Sequence, residues 1–407
     1  MQMFDVAVAG AGPAGLAAAL SLVASGVRVA LIAPNEADRA PDRRTTALLG
    51  DSVNLLKTLG VWQRASGHAT PLEGIRLVDD CGGLFRAPEI TFRASELGLT
   101  AFGANIANAP LVEALLAAAA QTDAIRLTSS VADITPGSDR VTVRLSNGES
   151  CGVRLLVAAD GRNSLIRKAS GIAAESRSYP QSALAVSFAH AKPHQGVSTE
   201  LHRRNGPLTC VPLQGLASSL VWVEAPEEAQ RLAALGDDAF CAVLEEALQG
   251  LLGRIHSPGP RGVFPLSVLT AEHMGHNRVA LVGEAAHVMP PIGAQGLNLG
   301  LRDAAALAEI VADEIVQGGD PGSARTLQAY HRARFFDVVT RQVSIDLLNR
   351  SLLSGFLPPH ALRGAGLHLL ANVKPLRDLV MRSGMGPQGK VPRLMQMPPG
   401  TPTPALL

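Results

Sequence analysis

The sequence predicts an α/β fold: a mainly parallel sheet interrupted by an inserted mixed-sheet α+β domain and followed by C-terminal helices. Three observations carry this. A glycine-rich turn, Gly10-Ala11-Gly12-Pro13-Ala14-Gly15, separates an apolar run from a small-residue helix. Short Val/Ala/Leu runs, the texture of strands buried on both faces, recur within residues 1–60, 126–160 and 278–283. Between the last two segments, from Tyr179 to about Pro265, the pattern changes to separate short strands with a helix beside them.

The elements follow in chain order. "FDVAVAG" reads as a buried strand. "PAGLAAALSLVASG" reads as a helix, with Pro13 in its first turn and Gly26 as its stop. "VRVALIA" is the next strand. Leu48, Leu55, Leu56 and Leu59 predict a helix ending at Gly60. Residues 72–106 read as short strands, and Asn108 and Pro110 open a further helix. From Ile125 to Gly161 the chain alternates polar and apolar, with turns at Pro136-Gly137 and Asn147-Gly148: an antiparallel meander that returns to a buried strand. "ALAVSFAHA", "LTCVPLQG" and "SSLVWVEA" form the second sheet, and "DDAFCAVLEEALQGLLGRI" a helix beside it. "RVALVGEAAH" is again a buried strand, and a long helix is expected to begin near Leu297. The C-terminus reads as helical to about Gly384, and "PPGTPTPALL" as a frayed tail.

The boundaries that follow are 1–71, 105–178 and 278–320 for a discontinuous nucleotide-binding domain. Residues 72–104 and 179–277 form a substrate domain, and 321–407 a helical region. With 407 residues the chain can bury substantial cores, and a net charge of +1 gives no reason to expect nucleic acid. Arg43-Arg44 and Arg203-Arg204 are too short to change that. The four cysteines are scattered without a CxxC pair, which reads as reduced thiols rather than disulfides or a metal site. No basic segment precedes the first strand, so no signal peptide is expected. No run approaches the ~20 apolar residues of a membrane span. A cytoplasmic protein is expected, with peripheral attachment to the inner membrane left open.

Three motifs carry chemistry. In the glycine turn, Gly10 permits the tight bend, Gly12 lets backbone approach a pyrophosphate, and Gly15 lets helix pack on strand. Such turns are usually paired with an acid at the end of the next strand, to hold the adenosine ribose. Here Ala33 stands there. Asn35, Glu36 and Asp38 are the alternatives, and each is equally well read as a solvated loop residue. The second motif is "AADGRNSLIRKASGI", where Asp160-Gly161 ends a strand; its plain reading is an Asp-Gly turn capped by Asn163 or Ser164. The third is "GEAAHVMPPIGAQGLNLGLRDA", an acid at a strand end followed by prolines, glycines and a helix start whose amides suit an anion.

Together with "RRTTALLGDSVNLLKTLGVW", "GPLTCVPL" and a late "MRSGMG", these motifs resemble one family end to end. It is the flavoprotein aromatic hydroxylases of the para-hydroxybenzoate hydroxylase type, and within them the ubiquinone-biosynthesis hydroxylases. The run from Pro291 to Asp303 is the most discriminating. The resemblance implies a Rossmann-like FAD-binding domain, tightly but non-covalently bound FAD, transient NADPH or NADH, and O2 as co-substrate. It implies a flavin C4a-hydroperoxide attacking an electron-rich ring, and a polyprenyl phenol or quinone precursor as substrate. Membrane surface and other ubiquinone-biosynthesis proteins are the implied partners.

Residue by residue, the resemblance implies that Gly10, Ala11, Gly12, Pro13, Ala14 and Gly15 hold the FAD pyrophosphate. Arg44 would contact the cofactor, and Val131 would meet adenine through its backbone. Asp160 and Gly161 would serve FAD and the pyridine nucleotide. Glu284 would bind the ribityl chain, where the family more often has Asp. Pro291, Gly293, Ala294, Gln295, Gly296, Leu297 and Asn298 would line the isoalloxazine, with Ala294 replacing a frequent glycine and so restricting the loop. Pro291, Ile292, Gly293, Phe188, Pro212, Trp222 and Phe264 are candidate active-site lining, the last four read first as ordinary core. No metal site or Ser/His/Asp constellation is expected. His287 reads as structural, and His190, His194 and His202 as surface or sheet histidines before bases. Phe335-Phe336, Leu347-Leu348, Leu352-Leu353 and Phe356 read first as packing against the FAD domain and second as a membrane or partner surface. A hydroxylase of a soluble aromatic and a non-catalytic FAD-binding scaffold remain as alternatives. A halogenase is disfavoured because no WxWxIP run is present.

Overall fold

Small, β-branched and aliphatic residues dominate the first sheet, and the chain enters it three times. In the computed structural model, which describes residues 1–35, 42–81, 88–353, 373–385 and 389–396, the strand Gln2–Ala9 lies at the centre. It pairs in parallel with Val29–Ala33 on one side and Ser150–Ala158 on the other. Ile125–Thr128 extends the sheet beyond Val29–Ala33, and Val279–Leu281 extends it beyond Ser150–Ala158, all in parallel. The expected meander, Val131–Pro136 and Val141–Leu145, hangs antiparallel on Ser150–Ala158. The helices Pro13–Ala24 and Gln295–Val316 pack on each other against this sheet.

The second sheet is larger than the sequence suggested. Its order is His287–Val288, Gly262–Ala271, Ala174–His190, Ala217–Glu224, Gly206–Leu213, Val197–Arg203, Gly74–Asp79 and Ile90–Arg93. Strand Ala174–His190 begins five residues before Tyr179 and runs 17 residues, pairing along its length with Gly262–Ala271. One face packs on the helices Pro226–Ala234 and Asp237–Ala247, the first of which the sequence reading missed. The second is shorter than expected, ending at Ala247. A small third sheet, Thr45–Leu49, Gly103–Ala107 and Ala69–Pro71, bridges the two larger ones.

Two helix starts differ from expectation. Leu48 lies on the strand Thr45–Leu49, and the helix that follows is Gly50–Thr58. "RTTALL" is β-rich in its first half, and pairing with Gly103–Ala107 outweighs the helical spacing of the leucines. The long helix begins at Gln295 rather than near Leu297. At the C-terminus, Ala324–Leu353 and Lys374–Met385 are helical. Phe335 packs on the main core, whereas Phe336 and Leu347 are exposed. Phe356, the side chains of Leu348, Leu352 and Leu353, and the tail lie outside the described residues. Among the described residues no helix is long and apolar enough to cross a membrane.

The first turn depends on close approach. A Cβ on Gly15 would stand 2.1 Å from the Gly10 carbonyl oxygen and 2.9 Å from the Ala159 Cβ. Gly15→Ala therefore has to push the first helix off the sheet. It is expected to cost about 2–3 kcal/mol in urea unfolding; an unchanged midpoint would show that helix and strand are not held at this distance.

Candidate active site

The C-terminal ends of the parallel strands, where α/β sheets place their ligands, open on a cavity of about 550 Å³. Gly12, Pro13, Ala14 and Gly15 form one wall, and Ala159, Gly161 and Arg162 a second. Gly283, Glu284 and the loop Met289 to Leu297 form a third. The cavity then continues along one face of the second sheet, past Ala183, Ala185, Ser187, Ser219, Val221, Thr209, Val211, Ser198 and Glu200.

The loop residues Pro290, Pro291, Gly293 and Ala294 deliver the helix start to this space. Ala294 has φ 54°, left-handed backbone that costs a residue bearing a Cβ about 1 kcal/mol. The amides of the first helical turn have no partner within their own helix and carry its positive end. Asn298 holds that turn in place. Its Oδ1 accepts from the Leu49 amide (2.9 Å) and Ser52 Oγ (2.7 Å), and its Nδ2 donates to the carbonyls of Ala47 (2.8 Å) and Ala294 (2.6 Å).

A buried ion network lies behind the helix. Asp303 is fully buried; its Oδ2 accepts from the Gly283 amide (3.1 Å) and lies 2.7 Å from His287 Nε2, and its Oδ1 accepts from Arg334 Nε (2.8 Å). Arg334 also donates to Asp337 (2.9 Å), Arg341 donates to Asp337 (3.0 Å), and Arg341 Nη1 donates to Gln295 Oε1 (2.8 Å). Gln295 Nε2 donates to the Gly293 carbonyl (2.9 Å). The glutamate-bearing turn, the loop and the helix start are thus tied to the helix Ala324–Leu353. Burial works to raise the Asp303 pKa, but His287 and Arg334 hold it below the usual carboxylate value.

At the rim, Arg44 stacks over Phe264 at 5.6 Å and pairs with Asp42 through two hydrogen bonds. Partial burial opposes ionisation of Asp42. Hydrogen bonds from Arg44 and Asn108 nonetheless bring its pKa down to about 2. Glu284 is half-exposed and lies 3.5 Å from Arg162. Arg162, Asp42, Asn105, Asn108 and Glu200 escaped the sequence reading. Arg162 was signalled by its place directly after Asp160-Gly161; the others had no local mark.

Phe188, Pro212 and Trp222 do not line the cavity. Strand side chains alternate between faces, and in this register Leu184, Val186, Phe188, Leu220 and Trp222 share the face that packs on the helices. Pro212, opposite Ser218, falls on that face too. Phe264, opposite Ala183, is on the cavity face. Asp160 accepts from Ser164 Oγ (2.5 Å) and the Ile166 amide (3.2 Å), while Ser164 caps the helix Leu165–Ala169. Gly10, Ala11, Val131, Ile292 and Asn298 are not among the lining residues. Ala33 is buried at the end of its strand, and Glu36 and Asp38 lie outside the described residues. His287 is structural in the sense expected, as a partner of Asp303.

An FAD-sized group fits this arrangement on one specific count. A Cβ on Gly12, Gly161 or Gly296 would meet nothing within 4 Å, so bare backbone faces open cavity where pyrophosphate and ring would need it.

The network makes an acid-sensitive contribution. A carboxylate whose folded pKa is lowered stabilises fully above its unfolded pKa of about 4, and loses that contribution as pH falls through the folded value. Asp303→Asn is expected to cost about 3–5 kcal/mol at neutral pH. The gap from wild type should close on acidification below about pH 4. A gap that stays constant from neutral to acid pH would contradict this.

The family described as FAD binding domain matches residues 3–343. Ubiquinone hydroxylase UbiL of Rhodospirillum rubrum is 32% identical over 395 residues, spanning 95% of this chain and 90% of that protein. The 3-demethoxyubiquinol 3-hydroxylase of Escherichia coli is 29% identical, spanning 95% and 99%. Among solved structures, p-nitrophenol 4-monooxygenase PnpA from Pseudomonas putida shares the fold at TM-score 0.77 and 18% identity, covering 96% of this chain and all of that one. Klebsiella pneumoniae HpxO, complexed with FAD and uric acid, does so at TM-score 0.76 and 19% identity, covering 95% and 98%. With its glycine turn, its glutamate-bearing turn and a match across most of its length, this chain belongs to the FAD binding domain family.

Proposed function

We propose that this chain is an FAD-dependent monooxygenase that hydroxylates the aromatic ring of a polyprenyl phenol or quinone precursor in ubiquinone biosynthesis. The observation that carries the reading is continuity. The glycine turn, the Glu284 turn and the helix start at Gln295 open on one cavity, which runs on along a face of the second sheet built mainly of small side chains. Similarity to named ubiquinone hydroxylases supports the substrate class.

Bound FAD, reduced by NADPH or NADH, supplies the electrons that activate O2 for transfer of one oxygen atom to the ring. The residues of the chain bind, orient and exclude water. Gly12 to Gly15 and the helix behind them receive the pyrophosphate. Glu284 would hold the ribityl chain, and Arg44, fixed by Asp42, would close the rim. The amides from Gln295 to Leu297, at the positive end of their helix, would stabilise negative charge on the bound ring system. Leu72, Ile75, Val211, Val221 and Leu266 keep water from the reacting centre. The first sheet with its two helices acts as the FAD domain, and the second sheet as the substrate domain.

Two outcomes follow. Gly12→Val places its side chain in open cavity, so the protein should fold with an unchanged apo melting temperature yet bind FAD at least about tenfold more weakly by fluorescence titration. Equal affinity would remove the glycine turn from the cofactor site. In cells lacking this chain, profiling of quinone intermediates should show an accumulated under-hydroxylated polyprenyl phenol. An unchanged ubiquinone pool with no such intermediate would sink the assignment.

A further inference from the structure

Glu200 stands apart from every other charged group that faces the cavity. Asp42, Arg43, Arg44, Arg162 and Glu284 come from the turns and loops of the FAD side. Among the described lining residues, Glu200 is the charged one on the nine-stranded sheet. It sits on Val197–Arg203 opposite Thr209 and beside Leu77. Along the same face run Ile75, Val211, Val221 and Ala185, interleaved with the hydroxyls of Ser187, Ser198, Thr209 and Ser219, with no other charged group of the sheet among the described lining residues.

A carboxylate 9% exposed in such a wall has to be held by partners. His202 Nε2 lies 2.8 Å from its Oε1, and Thr209 Oγ1 donates to its Oε2 at 3.4 Å. His202 is itself 4% exposed, and its backbone carbonyl accepts from the Asp80 amide at 2.9 Å. The carboxylate is therefore pinned from behind and from one side. An ionised carboxyl offers about four acceptor positions, and these two partners leave acceptor capacity toward the cavity.

We propose that Glu200 is a specificity-determining residue that accepts a hydrogen bond from a hydroxyl of a neutral phenol and excludes aromatic carboxylates from the cavity. The proposal rests on the hydroxylase reading above. A phenolic O–H donates to the carboxylate and gains a charge-assisted bond in an apolar surrounding. An aromatic acid would bring a second carboxylate against Glu200 where, among the described lining residues, the second sheet offers no lysine or arginine to pair with it, a like-charge contact that disfavours binding. A methyl ether of the phenol would leave the acceptor unpaired. The substrate class this selects is a ring that carries a free hydroxyl and has no carboxyl group.

The test uses FAD-loaded enzyme and three probes: ortho-hexylphenol, its methyl ether, and its ring-carboxylated analogue. Binding is read from perturbation of the flavin absorbance, so no turnover is required. The wild type should bind the phenol at least about tenfold more tightly than either of the other two. Glu200→Gln should gain affinity for the carboxylated probe and reduce that preference at least about fivefold. Glu200→Asp, which keeps the charge, should continue to reject the carboxylate, and FAD content should be equal in all three proteins. Equal binding of the probes by the wild type, no binding of any of them, or an unchanged ratio in Glu200→Gln would each overturn the proposal. Selective phenol binding without any hydroxylated product would overturn the hydroxylase reading and leave the role of Glu200 standing.

Discussion

The carboxylate of Asp303 is the point on which the site depends. Sequence-distant segments meet there: the turn at Gly283, the short strand at His287, and Arg334 on the helix Ala324–Leu353. Through Asp337 and Arg341 the same network reaches Gln295, the first residue of the helix that faces the cavity. A buried charge network of this kind stabilises little in net terms, because desolvation offsets attraction. What it fixes is geometry. Each member has one position that satisfies its partners, and a member removed leaves an uncompensated charge in the core.

That rigidity suits the chemistry proposed. An activated oxygen species must meet a ring in an apolar, dry space, and the donors that stabilise charge on the cofactor must be aimed in advance. Asn298 meets the second requirement from the other side, spending its whole hydrogen-bonding capacity on Ala47, Leu49, Ser52 and Ala294. The loop between these anchors is left with one strained residue, Ala294, at the head of the helix. The walls contributed by the second sheet are small or aliphatic, which leaves room along its face for an elongated apolar molecule.

Much of this was legible in the sequence, and the reasons are local. The glycine turn, the strand runs and the long helix announce themselves by spacing within a dozen residues. Gly12 and the Pro291 to Leu297 loop could be placed at a cavity on that basis. Phe188 and Trp222 are candidates for pocket lining and, more plainly, for core; the period of two along their own strands puts them in the core on the opposite face. Asp160 has a second role that its Asp-Gly spacing only hinted at: each of its oxygens accepts from the helix that follows. Asp303 closes the most discriminating run, but nothing local marked its pairing, and Arg334 and Arg341 gave no signal, since the network joins residues 31 and 46 apart along the chain. Glu200 was equally silent: an acid in an alternating strand looks like the solvent face until the sheet is seen to close a cavity.

The most direct measurement is the fate of isotopically labelled dioxygen in the purified FAD-loaded enzyme, given NADPH and a polyprenyl phenol. The account predicts one labelled oxygen in a new ring hydroxyl, the other in water, and about one NADPH consumed per product. NADPH oxidation that ends in labelled hydrogen peroxide alone, with the phenol recovered unchanged, would contradict it.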